Sequence, residues 1–152
     1  MKLNDNTIGV LNDLIQINND RIEGYEKAAA ETKPEDNDLR SLFNNMASES
    51  RQYVNELTRH VARTDDEPAA GTTLKGKIYR AWMDVKATFT GKDRKSILAS
   101  CEFGEDAAQR AYEQGLDEDG LDSEIRQLLT TQKQKLRASH DKIKAMRDTQ
   151  PA

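Results

Sequence analysis

The chain has little of what would staple, kink or anchor it. Its one cysteine, Cys101, excludes an internal disulfide framework. A lone thiol fits a reducing compartment, so a cytoplasmic protein is expected. Three prolines and eight glycines in 152 residues are too few for a turn-rich β-sandwich or a collagen-like chain. No apolar run approaches the roughly 20 residues that span a bilayer, and the opening MKLNDNTIGV lacks the apolar stretch of a signal peptide. Lys and Arg total 23 against 27 Asp and Glu, a net charge of −4 that argues against general nucleic-acid affinity. No Ser/His/Asp set, zinc-type cysteine spacing or glycosidase-like carboxylate pair is present. Acidic neighbours such as Glu102 and Glu105 read first as solvated helix faces.

What the chain does have is helical spacing. Leu11, Leu14, Asn18, Ile22, Tyr25 and Ala29 recur at steps of three and four, with Asn18 in the middle of an apolar stripe. The stripe breaks at Lys33-Pro34, because the residue before a proline disfavours helical angles. Pro34 suits the first turn of the next helix, whose face carries Leu39, Leu42, Phe43, Met46, Ser50, Tyr53, Leu57 and Val61. A polar linker follows from Thr64 through Gly71. Leu74, Ile78, Trp82, Val85 and Phe89 mark a shorter helix, which Gly91 closes. A third long stripe holds Ile97, Leu98, Cys101, Glu105, Ala108, Tyr112 and Leu116. After Asp117-Glu118-Asp119-Gly120, Asp122 or Ser123 caps a last helix with Ile125, Leu128, Leu129, Gln132, Leu136, His140, Ile143 and Met146 inward.

No strand pattern appears. We therefore expect an all-α fold in one domain over residues 1–152. Its main helices fall at about 5–32, 35–63, 93–116 and 122–147, with a crossover helix at about 73–89. Long single-stripe helices bury their stripes best against each other, as a four-helix bundle. A connection as long as Thr64 to Asp93 lets the third main helix start at the far end of the bundle, which is the ferritin-like arrangement. The halves also echo each other. Asn18 precedes Tyr25 by seven residues and Glu105 precedes Tyr112 by seven, each tyrosine being followed by Glu. Two similar helical hairpins predict a pseudo-twofold axis.

The segment Asn18 to Ala29 resembles the first helix of rubrerythrin-type, ferritin-like proteins, and Leu42 to Arg51 resembles the second. Together with Gly76 to Asp84 and Cys101 to Ala108, the stretch from about 5 to 147 resembles the bacterial four-helix-bundle family of domain of unknown function 2383. That resemblance implies a bundle but no established activity. The wider superfamily implies a di-iron centre, with a Glu from each of two helices and a Glu-x-x-His from each of the others. A ligand Glu would stand seven residues before the aromatic. Glu105 keeps that place, whereas Asn18 holds the equivalent one. The Glu-x-x-His frame falls on Ser50 and Tyr53, or shifted by one on Glu49 and Gln52, and in the last helix on Leu136 and Ser139. The chain has two histidines, His60 and His140, preceded at three residues by Leu57 and Arg137.

A full di-iron centre is therefore not expected. Two readings remain. In one, Glu105 and His140 form an internal hydrogen bond, with Asn18 satisfying a second lone pair. In the other, Glu105, His140 and Glu49 hold a single metal beside Asn18, with Tyr25, Tyr53 and Tyr112 nearby. The cofactor is accordingly none, or iron or manganese. The resulting expectation is a non-catalytic structural, binding or stress-associated bundle, acting as a homo-oligomer, a dimer, with no specific nucleic acid, no transmembrane segment and no identifiable small-molecule partner. The alternative is a carboxylate-bound iron or manganese protein for metal storage or peroxide handling.

Three further features read plainly. Gly71 to Lys77 matches G-x-x-x-x-G-K, but Ile78 stands where magnesium binding needs Ser or Thr, and no strand precedes it. Cys101 reads as an inert core thiol. The basic stretch Lys75 to Lys95, with Tyr79, Trp82 and Phe89, reads as a crossover with its lysines in water. An anionic membrane or nucleic acid is the alternative there, and Trp82 also suits a dimer interface.

Overall fold

A computed structural model of the chain describes residues 5–62 and 94–149. Among them lie four long helices and no strand: α1 (Asp5–Glu31), α2 (Asn37–Ala62), α3 (Arg94–Leu116) and α4 (Ser123–Asp148). The crossover helix expected at 73–89, the Gly71 to Lys77 stretch, Trp82 and most of the basic stretch fall outside the described residues.

The turns follow from local chemistry. Lys33 is extended (φ −66°, ψ 150°) ahead of Pro34, which opens a single 3-10 turn, Pro34–Asp36, leading into α2. The end of α1 is closed by side chains, because a helix leaves its last carbonyls without internal partners. Thr32 Oγ1 donates to the Ala28 carbonyl at 2.6 Å, and Arg40 Nη2 donates to the Thr32 carbonyl at 2.6 Å. Between α3 and α4, Gly120 takes φ 82°, a conformation that costs a side-chain-bearing residue energy. Arg126 Nη1 reaches back to the Leu116 carbonyl at 2.9 Å. Asp122 stands at the N-cap of α4, but its carboxylate makes no capping bond; its carbonyl instead accepts the Arg126 N–H at 2.9 Å.

Helix direction can be read from the core. Two apolar clusters fill the bundle. One contains Tyr25, Ala29, Leu39, Phe43, Leu98, Cys101 and Ile143. The other contains Leu11, Leu14, Leu57, Val61, Tyr112, Ile125 and Leu129. The helices α1 and α4 thus run from the second cluster to the first, and α2 and α3 run from the first to the second. The helix pairs α1–α2 and α3–α4 form antiparallel hairpins, and α1 lies against α3. The helix α3 therefore begins at the end of the bundle opposite to where α2 stops. At 1.5 Å per residue, the 26 residues of α2 carry the chain about 39 Å away from that starting point.

No helix of the described residues is long and apolar enough to cross a membrane. The helix directions predict a long separation between exposed positions 62 and 95. Spin labels on Ala62→Cys and Lys95→Cys, measured by double electron–electron resonance, should lie on the order of 40 Å apart. Neighbouring helix ends, as in a simple up-down-up-down bundle, would give less than half of that.

Candidate functional site

Between the two apolar clusters, every helix contributes polar side chains. Asn18 and Arg21 come from α1, Glu49 and Ser50 from α2, Glu105 from α3, and Gln132 and Ser139 from α4. Arg21, Ser50 and Glu105 are fully buried, at 0% exposure. Buried polar atoms ordinarily find partners, and those of this layer do so among themselves except Glu105 Oε2, which has none among the described residues.

Arg21 is its hub. Its Nε donates to Glu105 Oε1 at 2.8 Å, and its Nη1 donates to Ser50 Oγ at 2.8 Å and to the Met46 carbonyl at 3.1 Å. Nη2 lies 3.2 Å from Glu49 Oε1. The guanidinium also sits 5.2 Å from the centre of the Tyr25 ring, within cation–π range. Burial works against its charge, but Glu105, Tyr25 and Glu49 outweigh that penalty and hold its pKa above the usual arginine value.

From Arg21 the hydrogen bonds continue across the bundle. Ser50 Oγ donates to Asn18 Oδ1 at 2.9 Å, and Asn18 Nδ2 donates to Tyr112 Oη at 2.9 Å. Tyr112 Oη donates to Gln132 Oε1 at 2.6 Å, and Gln132 Nε2 donates to Glu56 Oε1 at 3.0 Å. On the other side, Tyr25 Oη donates to Glu105 Oε1 at 2.6 Å. The two tyrosines are thus exchanged between hairpins. Tyr25 of the first reaches Glu105 of the second, and Tyr112 of the second reaches Asn18 of the first. This reciprocity is the spatial form of the repeat in the sequence.

The structure sorts the metal-site candidates differently from the sequence. Glu105 and Glu49 do converge, but on Arg21. Asn18 serves Ser50 and Tyr112 rather than Glu105. His140 does not join Glu105. Its Nε2 lies 2.6 Å from Asp106 Oδ1 and 3.8 Å from Glu102 Oε1, and its Nδ1 lies 3.0 Å from Asp141 Oδ1. Helix geometry gives the reason. Glu102 and Asp106 are one turn apart on α3 and face α4, whereas Glu105 is turned toward α1. Tyr53 is buried, and its carbonyl accepts from Gln132 Nε2 at 3.4 Å.

Sequence reasoning missed Arg21 and assigned its place on the stripe to Ile22, which is only half-buried. The signal was there, since Arg21 lies three residues after Asn18 and four before Tyr25, on the same face. Glu105 is likewise no solvated neighbour of Glu102.

These donors do not fit a paired-metal centre. Glu105 Oε1 is taken by Arg21 and Tyr25, and Glu49 Oε1 by Arg21 and by Ser139 Oγ at 2.9 Å. No histidine reaches the layer among the described residues. The cation between the two carboxylates is covalently part of the chain.

A helical bundle with a largely buried polar layer defines the class of this protein. Its family follows from the sequence profile of a domain of unknown function, DUF2383, which matches residues 6–118; the chain belongs to that family. The match takes in α1, α2 and α3 and stops before α4. No curated protein matches the chain.

Two outcomes follow from the layer. Arg21→Met strands Glu105 in the core and should cost about 3–5 kcal/mol in urea unfolding. Adding Glu105→Leu should recover much of that loss, because the uncompensated charge then disappears. The thiol of Cys101 behaves in a related way: burial first, then Glu105, push its pKa well above normal. The folded state therefore keeps a proton that the unfolded chain releases. Stability should accordingly fall as pH rises past the ordinary thiol range, about 8.5. Ellman's reagent should label Cys101 only at the rate of unfolding.

Proposed function

We propose that this protein is a non-catalytic helical bundle, ferritin-like in its chain path, with a structural, binding or stress-associated role in the cytoplasm. It works as a homodimer, without specific nucleic acid. The observation that carries this reading is Arg21, whose guanidinium holds together the two carboxylates, Glu105 and Glu49, that a central metal would need. A guanidinium supplies positive charge and fixed hydrogen bonds but no open coordination position and no redox chemistry. The fully buried members of the layer are closed to solvent, and a substrate would have to part the helices to reach them. The parallel course of α2 and α3 supports the ferritin-like path. The stress association is an analogy with that superfamily and adds no site of its own.

The competing reading, a carboxylate-bound iron or manganese protein, needs Glu105 and Glu49 released from Arg21. Metal analysis of protein purified without chelator separates the two. The expected result is no iron or manganese that depends on Glu105. About two equivalents of iron per chain, lost in Glu105→Gln, would overturn the proposal.

A further inference from the structure

Outside the central layer, a second set of donors meets between α3 and α4. Glu102 and Asp106 occupy one face of α3 a single turn apart, and His140 faces them from α4. One ligand atom from each lies within 4.8 Å of the others. We propose that Glu102, Asp106 and His140 form a binding site for one divalent transition-metal cation of the Zn²⁺ type. This does not rest on the reading of the central layer, since no residue is shared between the two.

Four observations carry the assignment. First, the donor set is right: an imidazole with two carboxylates suits borderline divalent ions, and three protein ligands leave a fourth position for water. Second, the spacing is close to what an ion needs. Metal–ligand bonds of about 2.0–2.2 Å place neighbouring donors roughly 3.3–3.6 Å apart in a tetrahedron. His140 Nε2 and Glu102 Oε1 lie 3.8 Å apart. Asp106 Oδ1, at 2.6 Å from Nε2, must withdraw by about an ångström to admit the ion, and its side chain, 45% exposed, has room to do so.

Third, the outer partners are already in place. Asp141 Oδ1 holds His140 Nδ1 at 3.0 Å, the carboxylate contact that orients a ligand imidazole so that Nε2 faces the metal. Arg147 grips Glu102 through Oε2 and leaves Oε1 turned toward His140. Fourth, burial is graded. The His140 and Glu102 side chains are 8% and 13% exposed, so the site has a dry back and opens to solvent at Asp106. Three carboxylates around one imidazole, against Arg147 on Glu102 and Arg137 on Asp141, still leave one net negative charge for a divalent ion to offset.

The test uses the full chain, stripped with EDTA and titrated with ZnCl₂, followed by calorimetry and by imidazole nitrogen NMR. The expected result is one saturating equivalent per chain with a shift of the His140 Nε2 resonance. Asp106→Asn and His140→Gln should each weaken binding by about tenfold or more, and His60→Gln should leave it unchanged. Asp106→Asn alters a half-exposed side chain, so it decides the matter even if His140→Gln unfolds; circular dichroism confirms its fold. Absence of saturable binding at millimolar Zn²⁺, or binding that Asp106→Asn leaves intact, would overturn the site. Loss of binding in His60→Gln alone would do the same.

Discussion

A guanidinium shut away from water needs carboxylate partners in contact, and that requirement organises the centre of this bundle. Taking Arg21 and Glu105 out of water costs several kcal/mol per ion before their attraction is counted. The bundle recovers this with charge-assisted bonds at close range and with the hydroxyls of Ser50 and Tyr25. An apolar core tolerates small slips between helices, because one methyl contact resembles another. A layer of directional bonds does not. Once Arg21 must meet Glu105, Asn18 meets Tyr112 and Tyr25 meets Glu105, and the height of each helix against its neighbours is set. The apolar clusters above and below then supply the burial that offsets chain entropy.

The fold was largely legible from spacing alone. All eight stripe positions assigned to the second helix, from Leu39 to Val61, are buried. Pro34 and Gly120 act where their backbone constraints predict, one opening a turn and the other taking a positive φ. The repeat of Asn18/Tyr25 in Glu105/Tyr112 was also visible, since a seven-residue step is two helical turns and keeps both groups on one face.

The site was legible only in part. Glu105 and Glu49 were singled out as carboxylates that need a partner, and that partner was sought in His140 or in a metal; in the structure both carboxylates meet Arg21. Arginine was passed over because a long cationic side chain ordinarily runs to the surface. A single stripe also cannot tell which neighbouring helix a residue faces. Glu102, Glu105 and Asp106 crowd into little more than one turn of α3, yet the rotation of 100° per residue sends Glu105 to α1 and the other two toward α4. The difference between the central layer and the rim cluster lies in that rotation.

The exchange of partners between hairpins also breaks the symmetry that it displays. Arg21 stands three residues after Asn18, and the matching place after Glu105 is Ala108. Two N-terminal hairpins docked on each other would confront guanidinium with guanidinium, and two C-terminal hairpins would confront carboxylate with carboxylate. Only the mixed assembly brings the Arg21 guanidinium onto the Glu105 carboxylate. A growing chain whose first hairpin emerges from the ribosome before the second is thus discouraged from coupling to a sibling's first hairpin, and waits for its own other half.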